Sequence, residues 1–487
     1  MNILFIYPKY PDTFWSFSNV LKFVRKKAAF PPLGLLTISS MLPKEWSKKL
    51  VDINVNELKN EDINWADMIF ISGMIVQKDS IRDIIKKCNG KKIVGGGPVF
   101  TTGHEKFEGV DHFILNEAEI TLPLFLKDLE EGKLKKIYTS EEKPDVTKTP
   151  IPDWNLIDFK DYSTMAIQYS RGCPFNCEFC DIIIMNGRVP RTKTPEQLMN
   201  ELDSLKDAGY KGSIFIVDDN FIGNKKNVKE MLRRLIKWQK KNKHNFKFLT
   251  EASVNLADDE ELLSLMSVAN FDKVFLGFET PSNESLKECK KLQNVNKDLV
   301  AGVRKINQYG MQVMGGFIVG FDNDGEDIFD IQIKFIQEIG VVTAMVGVLT
   351  ALPQTRLWYR LKAEERLLKD STGGNTDGDL NFIPKMNKKK LMDGYSRLVN
   401  TIYSRKNYYE RIDTFLKNYT PTSKSKASMD EFHAFISSLW RIGIISKARF
   451  YYWRLILKTS IFKIRSLPTA IELAIIGMHF EKVSRKI

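Results

Sequence analysis

The chain has 487 residues, 43% of them hydrophobic, and a net charge of +13. This length predicts two or three domains with sizeable cores. Three of the five cysteines lie at positions 173 to 180, a pattern that suits a metal site in a reducing compartment better than a disulfide framework. No apolar run is long enough to cross a bilayer, and no nucleic-acid motif accompanies the charge. We therefore expect a cytoplasmic protein, with peripheral membrane contact as an open alternative and no nucleic-acid partner.

Residues 1–143 alternate short apolar runs with helical patterns. Strand-like runs occur at 3–7, 51–55, 68–72, 92–94 and 112–115, and helix candidates at 33–41, 80–88 and 120–131. This alternation predicts a doubly wound, Rossmann-like parallel α/β sheet. Ligands of such sheets bind at the carboxyl ends of the strands, and two of those ends are glycine-rich here: Ile71-Ser-Gly-Met74 and Val94-Gly-Gly-Gly-Pro98. A glycine turn of this kind is equally typical of a tight strand exit.

The next two segments are a connector and a repeating unit. Residues 144–164 are polar and contain Pro144, Pro150 and Pro152. In residues 165–365, helix-period segments separate six strand-like runs, at 165–171, 213–218, 246–254, 273–279, 312–320 and 343–351. Six consecutive βα units predict a partial (β/α)6 barrel, whose chemistry collects at the carboxyl ends of its strands.

A CxxxCxxC motif follows the first of these runs. Cys173, Cys177 and Cys180 can ligate three irons of a 4Fe-4S cluster and leave the fourth iron open to another molecule. A structural zinc site would need four ligands, usually as two pairs, and the sequence has no second pair. Three unrelated buried thiols are the other alternative.

With Phe179 before the third cysteine, the motif resembles the signature of radical S-adenosylmethionine (SAM) enzymes. The resemblance implies that the three cysteines form the catalytic centre. It also implies that the open iron chelates SAM, and that an electron from the cluster cleaves SAM to a 5'-deoxyadenosyl radical.

Polar residues follow the barrel strands where the resemblance implies SAM contacts. The candidates, with Phe179, are Asp218, Asp219, Asn220, Glu251, Ser253, Glu279, Gly316 and Ile318. The acidic groups after the second strand can accept hydrogen bonds from the SAM ammonium. The ends of the third and fourth strands resemble positions that contact ribose and methionine, and Gly316 and Ile318 resemble a wall against adenine. Taken singly, such residues are more often helix caps or surface acids.

Three segments of the first domain, 30–35, 94–98 and 109–119, resemble the N-terminal cobalamin-binding domain of B12-dependent radical SAM proteins. The resemblance implies cobalamin contacts at Pro32, Leu33, Gly34, Ser72, Gly73, Gly95, Gly96, Gly97, Pro98, Thr101 and Glu117. Many cobalamin domains carry a DxHxxG loop, but this chain has no histidine before His104. We therefore expect no histidine ligand on the lower face of cobalt.

Residues 366–487 are expected to form a mainly helical extension. Segments 352–358 and 372–386, with Gly394, Tyr395 and Tyr403, resemble the extension of a cobalamin-dependent radical SAM subgroup that includes the hopanoid C-2 methylases. We expect a lid over the barrel mouth, with a simple packing appendage as the alternative. The tail from Arg441 to Ile487 has ten lysines and arginines against two acids. It suits either an anionic membrane surface or a solvated helical face with its aromatic residues packed inward.

The resemblance implies a cobalamin-dependent C-methyltransferase. One SAM would methylate cobalamin, and a second would give the radical that activates an unreactive carbon. A lipid or polyisoprenoid-like small molecule is the favoured acceptor, with flavodoxin or ferredoxin as the electron donor. Two alternatives are a radical SAM enzyme that catalyses cyclisation, C–C coupling or oxidation, and a non-catalytic corrinoid or iron-sulfur binding protein.

Overall fold

The computed structural model describes residues 1–243, 246–374, 376, 378–422 and 429–486. The strands are β1 Asn2–Tyr7, β2 Ser47–Asp52, β3 Met68–Ser72, β4 Lys92–Gly96, β5 His112–Ile114, β6 Ile137–Tyr138, β7 Thr164–Ile167, β8 Ser170–Arg171, β9 Arg191–Thr192, β10 Ser213–Ile216, β11 Phe248–Ala252, β12 Phe271–Glu279, β13 Gln312–Val319 and β14 Ala344–Val348.

The helices that precede the C-terminal extension are α1 Ser18–Leu21, α2 Leu33–Met41, α3 Asn60–Trp65, α4 Lys78–Lys87, α5 Pro98–Thr101, α6 Ala118–Glu130, α7 Ile182–Met185, α8 Pro195–Asp207, α9 Lys225–Asn242, α10 Glu260–Val268, α11 Asn283–Glu288, α12 Leu299–Gln308, α13 Ile328–Ile339 and α14 Arg356–Ala363. The extension contains α15 Lys388–Ile402, α16 Arg405–Asn418, α17 Met429–Trp440, α18 Arg449–Phe462 and α19 Leu467–Ser484. A π-helical turn, Arg441–Ile445, joins α17 to the segment before α18.

The N-terminal sheet is parallel, with strand order β2-β1-β3-β4-β5-β6. Strands β2 and β3 therefore lie on opposite sides of β1. This change in strand order opens a crevice at the carboxyl ends of β1 and β3. This confirms the predicted doubly wound fold. The strand predicted at 51–55 was placed too late, because the edge strand β2 carries exposed lysines and the chain turns at Asp52, whose carbonyl accepts from the Asn56 amide at 2.8 Å.

The second sheet is also parallel, with order β14-β13-β12-β11-β10-β7. Each strand is followed by helical segments, so the predicted partial (β/α)6 barrel is confirmed. The first barrel strand ends at Ile167, earlier than the predicted 171. Beyond it, the backbone amides of the next residues bond to a side chain instead of a neighbouring strand, as described below.

The extension packs on the outside of the barrel. The Tyr395 hydroxyl donates to the Val346 carbonyl at 3.1 Å, and the Tyr403 hydroxyl donates to the Ala344 carbonyl at 2.6 Å, so α15 is fastened to the edge strand β14. The expectation that these helices cap the mouth was wrong: the buried tyrosines hold them at the barrel edge. Among the described helices, none combines the length and apolarity needed to cross a membrane.

The loop before α15 does lie across the strand ends. Asn381 is fully buried, and its amide group pairs with the backbone of Ala351 just after β14, in both directions. Lys78 of the N-terminal domain donates to the Ser371 carbonyl at 3.3 Å. The segment that contains the predicted loop 372–386 therefore contacts both the N-terminal domain and the barrel. Positions 375 and 377 lie outside the described residues.

Candidate active site

The cysteine loop starts where β7 ends, and two acids after β10 hold it there. Asp218 is buried, and its carboxylate accepts from the amides of Tyr169 at 2.7 Å and Ser170 at 2.8 Å and from the Ser170 hydroxyl at 2.7 Å. Asp219 accepts from the Gly172 amide at 3.1 Å. Burial raises the pKa of Asp218 to about 7, although these hydrogen bonds oppose it. Both were predicted as SAM contacts, but the structure pairs their carboxylates with the cysteine loop.

Two amide side chains donate to the sulfur atoms of this loop. Asn220 Nδ2 lies 3.7 Å from Cys173 Sγ, and Gln293 Nε2 lies 3.9 Å from Cys177 Sγ. Burial raises the pKa of the Cys177 thiol, and the charge of Lys291 opposes that rise. N–H donors and a cation beside buried sulfur stabilise thiolates, the form that ligates iron.

The chain therefore fits an iron-sulfur cluster on the chemistry of its donors. Cys180 is also buried enough for the pKa of its thiol to rise, and Cys177 and Lys291 both act on it electrostatically. Among the described residues, no three His, Cys, Asp or Glu side chains converge on one single-ion site. The three cysteines of a cubane ligate three different irons, which is a different geometric requirement.

A buried ion pair lies beside the cysteines. Lys291 Nζ is 2.7 Å from Glu279 Oε1, and the two side chains are 13% and 7% exposed. Glu279 has a φ of 63° next to a register shift in β12. A Cβ at Gly277 would lie 2.5 Å from the Glu279 carboxylate and 2.8 Å from Lys291 Nζ, so a larger residue there would force the ion pair to shift. Glu279, a predicted SAM contact, is thus held by a lysine that the sequence reading missed.

The remaining predicted SAM residues line the inside of the barrel or its rim. Glu251 lies one residue before the end of β11, and its carboxylate has no hydrogen-bond partner among the described residues. Burial, and then the charges of Asp219 and Asp218, raise the pKa of Glu251 to about 7. The Ser253 hydroxyl donates to Asn255 Oδ1 at 2.6 Å.

Apolar candidates lie on the neighbouring walls. A Cβ at Gly316 would meet the Phe275 ring at 3.0 Å, and Ile318 is half-buried two residues further along the same face of β13. Phe179 packs beside Phe321, with ring centroids 6.4 Å apart. The structure therefore brings all the predicted SAM residues to one end of the barrel; which of them contact SAM stays a prediction.

The predicted cobalamin residues lie at the carboxyl ends of the N-terminal sheet. Ser72 and Gly73 end β3, and Gly95, Gly96 and Gly97 end β4. Gly97 has a φ of 86°, and a Cβ there would collide with Ser72 Oγ. Pro98 begins α5, and the Thr101 hydroxyl at its end accepts from the Asn116 amide at 2.9 Å. The glycines therefore serve close packing as well as an open crevice.

The segment 28–34 joins the two sheets. The Thr164 amide at the start of β7 donates to the Ala29 carbonyl at 3.0 Å, and the Phe30 ring lies 5.2 Å from the Phe215 ring on β10. Pro32 and Leu33 follow at the start of α2, and Gly34 is exposed with no atom within 4 Å of its Cβ position. This predicted cobalamin segment therefore faces the junction between the domains.

Glu117 is not free to contact a ligand. Its two oxygens bind Arg171 at 2.7 Å and Arg191 at 2.7 Å, and Arg171 also binds Glu119 at 2.7 Å. All four side chains are largely buried. Because Arg171 stands two residues before Cys173, this cluster fastens the N-terminal domain to the cysteine loop. The prediction of a cobalamin contact at Glu117 is corrected to an interdomain ion pair.

A second ion-pair cluster fixes the other end of the loop. Glu178, between the second and third cysteines, accepts from Arg360 Nε at 2.8 Å and Nη2 at 3.2 Å. Asp322 accepts from Arg360 at 2.9 Å and from Arg366 at 2.6 Å. Although burial opposes it, these two arginines lower the pKa of Asp322 to about 2. Arg360 lies in α14 and Arg366 just after it, and no local sequence pattern indicates that either residue contacts the cysteine loop.

Comparisons with known proteins agree with this geometry. Residues 167–364 match the radical SAM superfamily, and residues 355–487 match a domain of unknown function, DUF4070. The chain is 45% identical to the uncharacterized methyltransferase sll1242 of Synechocystis sp. over 93% of this chain and 86% of that protein. It is 34% identical to the hopanoid C-2 methylase of Rhodopseudomonas palustris over 94% of this chain and 89% of that protein.

A solved structure shows the same fold. The radical SAM methyltransferase TsrM of Kitasatospora setae, with cobalamin and a [4Fe-4S] cluster bound, superposes with a TM-score of 0.62 at 12% identity, over 97% of this chain and 98% of that one. With two near-full-length relatives above 30% identity and the cysteine loop on its barrel, the chain belongs to the radical SAM methyltransferase family that includes hopanoid C-2 methylase.

Proposed function

We propose that this chain is a cobalamin-dependent radical SAM methylase that adds a methyl group to an unactivated carbon of a lipid or polyisoprenoid-like acceptor. The residues present fit a 4Fe-4S cluster at Cys173, Cys177 and Cys180 and a corrinoid at the carboxyl ends of β1, β3 and β4. When bound, the cluster would supply the electron that cleaves SAM, and the corrinoid would supply the methyl group.

The observation that carries the proposal is the buried cluster of Glu117, Glu119, Arg171 and Arg191. It ties the end of the N-terminal sheet to the residues directly before Cys173. A radical and a methyl donor must reach the same substrate carbon, so their two sites need a fixed relative position. A rigid, desolvated ion-pair contact between the two sites meets that requirement.

Residues at the barrel mouth can orient SAM. Lys291 is close enough to Cys177 and Cys180 to affect both thiols and is held by Glu279, so we assign it to the SAM carboxylate. Glu251 has an unpaired, buried carboxylate close enough to Asp219 and Asp218 for their charges to act on it, so we assign it to a hydrogen-bond donor of SAM. Gly316 and Ile318 leave an apolar wall for adenine. Asp218 and Asp219 act by positioning the cysteine loop.

The acceptor class is inferred from the family. The relative from Rhodopseudomonas palustris is named a hopanoid methylase, and hopanoids are polycyclic lipids whose ring carbons have no nucleophilic character. Ordinary methyl transfer from SAM needs a nucleophile, so such a carbon requires radical activation. A hopanoid is therefore the first acceptor to test, with a linear polyisoprenoid alcohol as the second.

The experiment uses reconstituted full-length protein, methyl-deuterated SAM, cobalamin and a chemical reductant under anaerobic conditions. The proposal expects 5'-deoxyadenosine together with deuterated methyl in diplopterol or in undecaprenol, detected by mass spectrometry. Lys291→Met is expected to raise the SAM concentration needed for half-maximal rate. Lys297→Met, at an exposed lysine paired with Asp258, is the matched control and should leave that concentration unchanged.

The outcomes distinguish the alternatives. Formation of 5'-deoxyadenosine with conversion of the acceptor but no labelled methyl would point to cyclisation, C–C coupling or oxidation. An intact cluster that yields no 5'-deoxyadenosine with any acceptor would point to a non-catalytic binding protein.

A further inference from the structure

The exposed apolar side chains of this protein are concentrated in one part of the extension. Among the described residues, 23 large hydrophobic side chains are exposed, and 11 of them lie between positions 432 and 464. They are Phe432, Ile436, Trp440, Ile444, Ile445, Phe450, Trp453, Leu457, Ile461, Phe462 and Ile464. Scattered exposed hydrophobics are normal on a protein surface, but a contiguous group of this size marks a binding surface.

The spacing of these residues places them on helix faces. On α17, Phe432, Ile436 and Trp440 recur every four residues and form one stripe. On α18, Phe450, Trp453, Leu457 and Ile461 recur at helical spacing, and their exposed fractions range from 40% to 77% when the neighbouring Phe462 is included. We call these two stripes, with Ile444 and Ile445 between them, the α17–α18 face.

The opposite side of α18 already has a packing role. Tyr452, Leu455, Ile456 and Thr459 are buried in the core, and the Tyr452 hydroxyl lies 2.8 Å from the Ser438 hydroxyl of α17. Helix α18 therefore carries a second apolar stripe, which the fold leaves exposed beside Arg454 and Lys458.

The charge around the face is of one sign. Between Glu431 and Glu472 the sequence contains seven lysines and arginines and no acidic residue. Arg454 and Lys458 pair with Asp413 at 2.8 and 3.0 Å. Lys447, Arg449 and Arg465 are exposed and form no ion pair among the described side chains. Three uncompensated cations therefore border an apolar, aromatic-rich surface.

We propose that the α17–α18 face docks on the surface of an anionic lipid bilayer. Aromatic and aliphatic side chains would enter the headgroup region, and Lys447, Arg449 and Arg465 would contact anionic headgroups. A second copy of the chain suits the face less well, because it would bring together two surfaces that each carry the unpaired cations Lys447, Arg449 and Arg465. The inference rests on this surface alone and does not depend on the proposed methyl acceptor.

The test is co-sedimentation of the full-length protein with vesicles. The wild type should bind vesicles of phosphatidylcholine mixed with phosphatidylglycerol more tightly than vesicles of phosphatidylcholine alone, and added salt should weaken that binding. Neutralising Lys447, Arg449 and Arg465 to Gln together should lower the affinity about 100-fold, since one cation near such a surface contributes about fivefold.

Apolar variants test the inserted side chains. Phe450→Glu with Leu457→Glu should abolish binding. Val268→Glu with Ile331→Glu replaces exposed apolar residues on other parts of the surface and should bind as the wild type does. Circular dichroism should show the same melting temperature for both double variants, because all four side chains are exposed.

Three results would overturn the proposal. One is wild-type protein that binds neither kind of vesicle. Another is equal binding by the α18 variant and its control. The third is light scattering that shows a wild-type dimer, a monomeric Phe450→Glu/Leu457→Glu variant and no vesicle binding, which would assign the face to self-association.

Discussion

Replacing Arg171 with Met tests the connection between the two domains. Arg171 is 14% exposed and binds Glu119 and Glu117, whose side chains are 9% and 7% exposed. The substitution leaves Glu119 with only the Thr149 hydroxyl at 2.7 Å, while Glu117 keeps Arg191. Removing one partner of a buried ion pair costs about 3–5 kcal/mol, because the other charge stays buried and uncompensated. We expect a loss of that size in the free energy of unfolding.

The assay is urea unfolding followed by circular dichroism and tryptophan fluorescence. Arg82→Met is the matched control: Arg82 pairs with Asp79 at 3.2 Å on the surface and is 46% exposed, so its loss should cost less than about 1 kcal/mol. Adding Glu119→Gln to Arg171→Met should recover part of the loss. Equal losses in the free energy of unfolding for Arg171→Met and Arg82→Met would refute the idea that the buried ion pair stabilises the fold more than the surface pair.

The pH dependence gives a second check on the same variant. Although burial opposes it, Arg171 lowers the pKa of Glu119 below its usual value of 4.5. The ion pair therefore stabilises the folded protein fully above about pH 4.5, and this stabilisation is lost as the pH falls through the lowered pKa of Glu119 in the folded state. The difference in the free energy of unfolding between wild type and Arg171→Met should be largest near about pH 7 and should shrink below about pH 4. A difference that stayed constant over this range would exclude an electrostatic cause.

Three further predictions concern the sites themselves. Cys177→Ala should lose iron and acid-labile sulfide but keep cobalamin binding; loss of both would show that the two sites do not fold separately. Glu251→Gln should stabilise the protein by up to about 3 kcal/mol at neutral pH and above, and less below about pH 4.5, because a raised carboxyl pKa costs stability as pH rises; an unchanged urea midpoint at all pH values would contradict this. Gly97→Ala should cost about 2 kcal/mol or more and weaken cobalamin retention, since φ is 86° and the new methyl meets Ser72. Adding Ser72→Gly should restore part of that loss, and no restoration would contradict the contact.

The fold was predictable where strands are buried on both faces. The parallel strands β3, β12 and β13 are rich in buried apolar residues, so their positions agree with the prediction to within two residues. The edge strand β2 carries lysines, and β6, β8 and β9 have two residues each, too few to show a period. Such strands depend on neighbours that a sequence pattern does not reveal.

The candidate site was predictable where its residues adjoin a motif or a strand end. The cysteines and the acids after β10 gave such signals, although the partners of Asp218 did not. Gln293 lies 116 residues from Cys177, and Arg360 lies 182 residues from Glu178. Contacts over such distances are set by tertiary packing, and the local sequence at either end carries no mark of them.

The Arg360–Glu178 contact bears on the order in which the enzyme is made. Glu178 sits inside the cysteine motif, but its partner is synthesised 182 residues later, after the last barrel strand. A ribosome-bound chain that has completed the motif alone therefore lacks the arginine that holds the loop in place. We expect iron and sulfide to enter a correctly shaped loop only after α14 has emerged and folded. A chain truncated before Arg360 should therefore be a poor recipient of the cluster even with all three cysteines present.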